Sequence, residues 1–212
     1  MRCLIFAGGE FRDPRWHCKQ VKDDDFVLCA DKGAEYVLSM GLIPGLVVGD
    51  LDSLDHAARQ RLEEMGVPFL NFPGEKDETD TELALIEALR RKPEEIIIFA
   101  GSGDRLDHTL ANIFLLIDHL SSGIPIRLAT PGQTLWVTDH SVTVAGYPGQ
   151  TVSLIALSST VSGLTLKGFY YPLDDAVLRQ GSPRGISNIM LGHEARIQFT
   201  EGILLIVQTH SK

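Results

Sequence analysis

The first part of the chain alternates short, continuously apolar runs with longer segments in which apolar residues recur every three or four positions. The apolar runs cover residues 3–7, 26–30, 46–48 and 96–100. They are too short for helices, and unbroken apolar character is typical of strands that are buried on both faces. The patterned segments predict helices over residues 34–40, 57–65, 78–91 and 107–120. This alternation predicts βα units around a mainly parallel sheet.

From about residue 124 onward the apolar period changes to two. Leu135 and Val137, and likewise Val152 and Leu154, alternate with more polar neighbours, which is typical of antiparallel strands. Glycine- and proline-containing turns separate these segments and favour a compact β-sandwich. The predicted fold class is therefore α/β, with an N-terminal mainly parallel α/β domain over residues 1–123 and a C-terminal antiparallel β-sandwich domain over residues 124–212.

Composition excludes several classes of protein. The 212 residues are 44% hydrophobic and 22% charged, which fits an ordinary globular chain. No apolar stretch approaches the ~20 residues that cross a bilayer, so we expect no membrane partner. The apolar run at residues 3–7 is too short for a signal-peptide core, and a cytoplasmic location is expected. The three cysteines form no C-x-x-C pair, which disfavours a disulfide framework and a thiolate zinc site.

The acidic residues are distributed unevenly. The formal charge is −9, and residues 1–121 carry 23 acidic and 13 basic side chains, whereas residues 122–212 carry 5 and 6. An excess of acid disfavours nonspecific binding to nucleic-acid phosphates. We therefore expect no nucleic-acid partner, and we look for chemistry in the acidic first part.

The segments that directly follow four predicted strands are rich in glycine and aspartate. They are residues 7–10, 30–33, 48–53 and 100–105. Ligands of an open parallel sheet bind at the carboxyl ends of its strands, and glycine-rich turns let backbone N–H groups surround an anion. Glycine and aspartate are also the commonest turn residues, but four such ends together favour a phosphate site.

Two pairs of carboxylates are candidate cation ligands, and the first pair stands at one of these strand ends. Asp50 and Asp52 are two positions apart directly after a strand, so both carboxylates point to one side if the extended conformation continues past the strand. Close carboxylates need a proton or a cation between them, and oxygen-only ligands select a hard ion such as Mg²⁺. An Asx-type turn that caps the next helix is a compatible alternative. Asp77 and Asp80 lie beside Lys76 at the start of a helix, where capping also favours acids.

Residues 101–108 run from a strand into a helix and contain Arg105. N–H donors, the positive helix end and a guanidinium together outline an anion site, although the segment matches neither a P-loop nor a dinucleotide fingerprint. His108 receives no catalytic role, because a lone histidine in a first helical turn is more often a cap or packing residue. Carboxylates that face a polyphosphate require a bridging Mg²⁺, with Lys76, Arg105 and Lys32 offsetting the remaining charge. ATP-dependent group transfer is the leading class of function.

Six motifs follow one another along the chain: Ala30-Asp31-Lys32-Gly33-Ala34, Gly49-Asp50-Leu51-Asp52-Ser53, Lys76-Asp77-Glu78-Thr79-Asp80, Gly103-Asp104-Arg105-Leu106-Asp107-His108, Lys167-Gly168-Phe169-Tyr170-Tyr171-Pro172-Leu173 and Gly185-Ile186-Ser187-Asn188. In this order and spacing they resemble the thiamin pyrophosphokinase family in its bacterial form. The resemblance implies an α/β nucleotide domain followed by a β-sandwich. It also implies a homodimer, and transfer of the diphosphoryl group of ATP to the hydroxyl of thiamin, giving thiamin diphosphate and AMP.

The resemblance further implies roles for individual residues. Mg²⁺ would be held by Asp50, Asp52 and Asp80. The expected catalytic residues are Asp50, Asp52, Asp77, Asp80 and Asp107. ATP would be bound by Asp31, Lys32, Gly33, Lys76, Thr79, Gly101, Ser102, Gly103 and Arg105. In the β domain, thiamin would be contacted by Tyr171, Ser187 and Asn188.

Two positions depart from the family pattern, and other functions stay open. Lys32 and Asp104 stand where the family often has glycine, which bears on nucleotide preference. The alternatives are a related Mg²⁺-dependent diphosphotransferase that acts on another alcohol, such as a hydroxymethylpterin, and a non-catalytic thiamin- or nucleotide-binding module. Metal-dependent hydrolysis of a phosphate ester is a weaker option.

Overall fold

A computed structural model describes residues 1–210, and its contacts divide the chain into two compact units. The first unit comprises Met1–Leu115 and Ser121–Pro131, and the second comprises Leu116–Leu120 and the chain from Gly132 onward. The division into functional domains 1–123 and 124–212 stays a prediction. By their contacts, residues 124–131 lie in the first unit.

The first unit is built on a six-stranded parallel sheet. Its strands are β1 (Cys3–Phe6), β2 (Phe26–Ala30), β3 (Leu46–Gly49), β4 (Phe69–Asn71), β5 (Ile96–Phe99) and β6 (Ile126–Ala129). Its helices are α1 (Pro14–Gln20), α2 (Gly33–Ser39), α3 (His56–Glu64), α4 (Asp80–Arg90) and the greater part of α5 (Leu106–Asp118), whose last three residues are grouped with the second unit. The strands lie in the order β4-β3-β2-β1-β5-β6. The prediction of an N-terminal, mainly parallel sheet is confirmed.

Strands β1 and β3 are buried along their whole length, and β2 and β5 each have one half-buried residue, as their apolar runs predicted. All four residues of β1 are fully buried, because helices cover both faces of a parallel sheet. In the register of the sheet Phe6 lies between Cys29 of β2 and Phe99 of β5. The ends of these strands are therefore aligned, and the segments that follow β1, β2, β3 and β5 emerge at one edge of the sheet.

Three elements of the first unit were not predicted. Helix α1 is only seven residues long, and β4 is three residues long at the edge of the sheet. Strand β6 pairs in parallel with β5, although its segment follows the change of period near residue 124. The exposed Arg127 in its middle, which pairs with Glu95, gives this strand the alternating pattern of a half-exposed one.

The second unit contains two antiparallel sheets, and the predicted antiparallel β structure is confirmed. The strands are β7 (Gln133–Thr138), β8 (Val142–Ala145), β9 (Thr151–Ala156), β10 (Thr160–Lys167), β11 (Leu173–Arg179), β12 (Asn188–Ile189), β13 (Glu194–Gln198) and β14 (Leu204–Thr209). One sheet has the order β12-β9-β14-β7, and the other has the order β11-β10-β13-β8. Buried residues of both sheets, such as Leu154 and Leu164, form one hydrophobic core. The two sheets therefore pack face to face as a sandwich.

None of the helices within residues 1–210 has both the length and the apolar character that a membrane span requires.

Candidate active site

A cleft of about 670 Å³ opens in the first unit, where the strand ends meet the first turns of α2, α4 and α5. This is the edge at which an open parallel sheet binds ligands. The predicted site residues that line it are Asp31, Lys32, Asp52, Thr79, Asp80, Gly101, Ser102, Gly103 and Arg105. Segments far apart in the sequence thus meet in one cleft, as the glycine- and aspartate-rich strand ends predicted.

Asp31 lies at the end of β2 in a strained and crowded position. Its backbone has a φ of 44°, in the left-handed region that aspartate tolerates better than most residues. The side chain is only 7% exposed, and its Oδ1 accepts a hydrogen bond from the Leu51 backbone N–H at 3.1 Å. A Cβ on Gly49 would lie 1.8 Å from the same oxygen. Glycine at position 49 therefore makes room for the Asp31 carboxylate.

Three carboxylates gather beside this position. Oxygen atoms of Asp31, Asp50 and Asp52 lie within 4.8 Å of one another, and the Asp52 backbone N–H donates to Asp50 Oδ1 at 3.1 Å. This last contact forms an Asx-type turn at Asp50 beside the carboxylate cluster, but the turn does not cap the next helix, because the N-cap of α3 is Asp55. An all-oxygen set of carboxylates fits a hard cation such as Mg²⁺.

Asp80 interacts with the same cluster but is already paired. Lys76 Nζ donates to Asp80 Oδ1 at 2.6 Å, and the Lys76 side chain is only 11% exposed. The negative charge of Asp80 also acts on Asp31 and raises its pKa. The sequence grouped Asp50 and Asp52 with Asp80, whereas the geometry gathers them most closely with Asp31.

The pKa values of these groups reflect the crowding of charge. Burial, followed by the hydrogen bond and negative charge of Asp80, raises the pKa of Asp31 to about 7. The Asp52 backbone N–H holds the pKa of Asp50 below its ordinary value, and the Asp50 carboxylate raises the pKa of Asp52. Burial lowers the pKa of Lys76, but the hydrogen bond to Asp80 and the nearby carboxylates raise it further, to a value above normal. Lys76 is therefore a cation among acids.

We call residues Gly8–Glu10 and Ala100–Gly103 together the glycine wall of the cleft. The Gly9 N–H donates to Ala100 O at 2.8 Å, and the Glu10 N–H donates to Ser102 O at 2.8 Å. The Gly103 N–H donates to Thr109 Oγ1 at 3.2 Å. These three N–H groups bind protein oxygens, so they do not form the phosphate-binding concavity that the glycines suggested. A Cβ on Gly9 would lie 2.4 Å from Ala100 O, so glycine here permits close contact between two loops.

Arg105 and Asp107 form a pair at the start of α5. Arg105 Nε and Nη2 donate to Asp107 Oδ1 and Oδ2 at 3.0 and 2.7 Å, and both side chains are mostly exposed. The hydrogen bonds from Arg105 hold the pKa of Asp107 well below its usual range. Arg105 lines the cleft and Asp107 does not, so Asp107 orients the guanidinium.

Several other predicted residues have local roles in the structure. Gly33 packs α2 on β1, because a Cβ there would lie 1.9 Å from Phe6 O. Thr79 caps α4, and its Oγ1 accepts from the Glu82 N–H at 3.2 Å. Asp77 is exposed in the loop before this helix. Of these three residues, Thr79 lines the cleft.

Comparisons with known proteins agree along the whole chain. The model of the thiamin pyrophosphokinase catalytic domain matches residues 18–128, and that of the thiamin pyrophosphokinase vitamin B1 binding domain matches residues 139–204. The thiamine pyrophosphokinase of Bacillus subtilis is 34% identical over 188 residues, which are 84% of this chain and 85% of that protein. This chain belongs to the thiamin pyrophosphokinase family.

Solved structures of thiamin pyrophosphokinases share the fold. The Bacillus subtilis structure has a TM-score of 0.91 at 29% identity and covers all of both chains. The structure from Geobacillus thermodenitrificans has a TM-score of 0.88 at 30% identity and covers 100% of this chain and 99% of the other. The resemblance stated from the motifs is confirmed.

The region matched by the vitamin B1 binding model contains Tyr171, Ser187 and Asn188. Tyr171 is 58% exposed and packs edge-to-face against Tyr170 with a centroid distance of 4.9 Å. Asn188 is buried, accepts from the Tyr171 N–H at 3.0 Å and donates to the Tyr171 carbonyl at 2.8 Å. Ser187 is exposed with a φ of 57°. Two of these side chains are thus open to solvent, and the Asn188 amide holds the Tyr171 backbone.

The two departures from the family pattern need no unusual backbone. Lys32 has a φ of −53° directly before α2, and Asp104 is not in the left-handed region. Both side chains are exposed and line the cleft. Each therefore changes the charge of the cleft without straining the chain.

Sequence reasoning missed several cleft residues that lie inside helices. Tyr36 is in α2, and Thr109 and Asn112 are in α5. A polar residue in a helix carries no local signal of function. The one available signal was spacing, because residues three or four positions apart share a helix face. His108 and Asn112 are four positions apart and follow the glycine-rich segment.

Proposed function

We propose that this thiamin pyrophosphokinase transfers the terminal diphosphoryl group of ATP to thiamin in the cleft of its first unit. The hydroxyl oxygen of thiamin forms a bond to the β-phosphorus, the bond from that phosphorus to the oxygen retained by the α-phosphate breaks, and the alcohol gives up its proton. The products are thiamin diphosphate and AMP. The observation that carries the placement is the cluster of Asp31, Asp50 and Asp52, of which Asp31 and Asp52 line the cleft at the carboxyl edge of a parallel sheet.

Magnesium belongs to this proposal. The residues that would hold Mg²⁺ are Asp50 and Asp52, joined by Asp31 or Asp80, and their all-oxygen donor set fits such an ion. When bound, Mg²⁺ offsets the charge of the phosphates and of the leaving group. A cation also explains how several carboxylates can face a polyphosphate.

The remaining charged side chains position the nucleotide. Lys76 neutralises Asp80 at 2.6 Å and so limits the negative charge of the cleft. Arg105, oriented by its two hydrogen bonds to Asp107, presents its remaining donors to a phosphate oxygen. Lys32 adds an exposed positive charge at the start of α2. Their contribution is alignment and electrostatic stabilisation rather than covalent chemistry.

For thiamin, we propose that Tyr171 and Ser187 make direct contacts. An exposed aromatic ring suits the cationic thiazolium, because cation–π attraction is worth ~1–2 kcal/mol when desolvated. Asn188 supports this site through the Tyr171 backbone. A homodimer, a cytoplasmic location and the lack of nucleic-acid and membrane partners complete the proposal. Analytical ultracentrifugation and cell fractionation test the first two.

The deciding experiment incubates the purified protein with Mg²⁺ and ATP, with and without thiamin, and follows AMP and thiamin diphosphate by chromatography. Equal amounts of both products, formed only with thiamin, support the proposal. Product formation with a hydroxymethylpterin in place of thiamin would favour the other alcohol. Inorganic phosphate released without thiamin would indicate hydrolysis, and nucleotide binding without turnover would indicate a non-catalytic module.

A further inference from the structure

The first observation concerns Tyr36, which α2 places at the edge of the cleft. Its hydroxyl donates to the carbonyl of Gly9 at 2.8 Å. Its ring stacks on Phe11 with a centroid distance of 4.5 Å and an interplanar angle of 2°. The stacked ring fixes the direction of the hydroxyl, and the hydroxyl holds one loop of the glycine wall.

The second observation concerns Asn112, which lies in α5 and is 8% exposed. Its Nδ2 donates to the carbonyl of Gly101 at 2.6 Å. A carbonyl can only accept, so the orientation of the amide is settled by this contact. Asn112 therefore holds the second loop of the glycine wall.

Backbone hydrogen bonds join the two loops into a continuous network. It runs from the Tyr36 hydroxyl to Gly9 O, and from the Gly9 N–H to Ala100 O. The next carbonyl along the chain, that of Gly101, accepts from Asn112. Ala100 has a φ of 51°, which costs a non-glycine residue energy and persists where the surroundings fix it. Helices α2 and α5 thus fix this loop pair from both sides.

The network also covers carbonyl oxygens that would repel an anionic ligand. The carbonyls of Gly9, Ala100 and Gly101 all accept hydrogen bonds from protein donors. An uncovered carbonyl dipole in a polyphosphate cleft would oppose binding, and a loop free to move would have to be ordered by the ligand.

We propose that Tyr36 and Asn112 are positioning residues of the nucleotide site, which hold the glycine wall in its ATP-binding shape. This inference rests on the proposed function for the identity of the ligand. It predicts that loss of either contact weakens ATP binding and leaves thiamin binding unchanged.

The test uses Tyr36→Phe, which removes the hydroxyl and keeps the Phe11 stack, and Asn112→Leu, which removes the donor at similar volume. Affinity for Mg²⁺-ATP is measured by calorimetry without thiamin, and KM for each substrate and kcat are measured by the product assay. A net hydrogen bond corresponds to a roughly two- to ten-fold effect. We expect the Kd and KM for ATP to rise by that factor, with kcat and the KM for thiamin within about two-fold of wild type.

The matched control is Tyr147→Phe, the same chemical change at a tyrosine that does not line the cleft. It should leave both KM values at wild-type levels. An unchanged ATP affinity in Tyr36→Phe overturns the inference. A parallel rise of both KM values with a lowered melting temperature overturns it too, because that pattern indicates a general structural role.

The calorimetric arm separates this inference from the proposed function. If the wild type binds ATP but forms no thiamin diphosphate, the proposed function fails, and the change in ATP affinity of Tyr36→Phe still decides the inference. If the wild type binds no ATP, both fail. Because Tyr36→Phe removes a single atom, it decides the matter even where Asn112→Leu does not fold.

Discussion

Two aspartates flank strand β2, and their surroundings are opposite. Asp25 directly precedes the strand, and its carboxylate accepts from Arg2 Nε at 2.9 Å, from Arg2 Nη2 at 2.6 Å and from the Lys22 N–H at 2.8 Å. Asp31 directly follows the strand and lies among the carboxylates of Asp50, Asp52 and Asp80. The carboxylate at the amino end of the strand is thus paired with hydrogen-bond donors of the protein. The carboxylate at the other end lies among other carboxylates.

The pKa values show what this difference means for stability. Burial alone would raise the pKa of Asp25, but the hydrogen bonds from Arg2 and Lys22 lower it below its ordinary value. Burial and Asp80 raise the pKa of Asp31 to about 7. Ionised Asp25 therefore stabilises the fold, while ionised Asp31 destabilises it. Like charges that destabilise the ligand-free protein are typical of a ligand-binding site.

The largest expected effect is a loss of activity, caused by substitutions in the carboxylate cluster beside the carboxyl end of β2. Asp50→Asn and Asp52→Asn each remove a proposed Mg²⁺ ligand, and kcat should fall at least about a hundredfold. The melting temperature of Asp52→Asn should not fall, because this change removes a charge that the Asp50 carboxylate repels. Asp174→Asn, at an exposed aspartate of β11, serves as the matched control with wild-type kcat. Near-normal turnover of both cluster variants would contradict the metal assignment.

A substitution at the amino end of β2 should lower stability and leave activity unchanged. The Asp25 side chain is fully buried, and Arg2 is 18% exposed, so Asp25→Asn should lower the free energy of unfolding by about 2–3 kcal/mol at pH 7. The depressed pKa of Asp25 means that its contribution is present above about pH 4 and is lost as the pH falls through its folded value. Urea unfolding from pH 7 to pH 3 should therefore show a difference that shrinks with acid, while kcat stays at the wild-type level at temperatures where the variant is folded.

A stability difference between Asp25→Asn and the wild type that is as large at pH 3 as at pH 7, or a large loss of kcat in the folded variant, would contradict this separation of stability from activity.

The fold was predictable because burial leaves a pattern in the sequence. Strand β2 was predicted with its observed bounds, since both of its ends coincide with changes from apolar to polar residues. Strand β6 was not predicted, because the exposed Arg127 interrupts its apolar run. Local periodicity gives the burial of a segment, whereas the sheet that it joins depends on pairing with distant residues such as those of β5.

The site was predictable only as far as its residues follow strands directly. Asp50 and Asp52 were predicted as a pair and Asp31 from the family resemblance, yet the meeting of all three in one cluster depends on the pairing of β2 with β3. The hydrogen bonds of Arg105 to Asp107 and of Asn188 to Tyr171 depend on side-chain conformation, which the sequence pattern does not show. Tyr36 and Asn112 were missed because a helix interior gives no sign of which loop its side chains reach.

A smaller effect, of opposite sign, is expected on the stability of the metal-free protein. Asp31→Asn keeps an oxygen that can accept from Leu51 and removes the buried charge. Because the folded pKa of about 7 lies above the ordinary value, wild-type stability falls as the pH rises from about 4 to about 7 and stays reduced above that. With a chelator present, the variant should exceed the wild type by about 1–2 kcal/mol at pH 8 and match it near pH 4.

Chemical unfolding with chelator and with Mg²⁺ tests this expectation. Added Mg²⁺ should stabilise the wild type more than Asp31→Asn, because the variant lacks one carboxylate of the cluster. A variant that is less stable than the wild type at pH 8 would contradict the conclusion that the ionised Asp31 carboxylate destabilises the folded protein.

The smallest effect is expected at Asp104, where the family often has glycine. Its exposed carboxylate lies in the cleft without a left-handed backbone, so Asp104→Asn should change charge and little else. Exposed charges interact weakly and are screened by salt, so the KM for ATP should fall only about two-fold at low ionic strength and converge with that of the wild type near 1 M salt. An unchanged KM for ATP at low salt would mean that the phosphates of the nucleotide do not bind near the end of β5. They would then bind at the ends of β2 and β3.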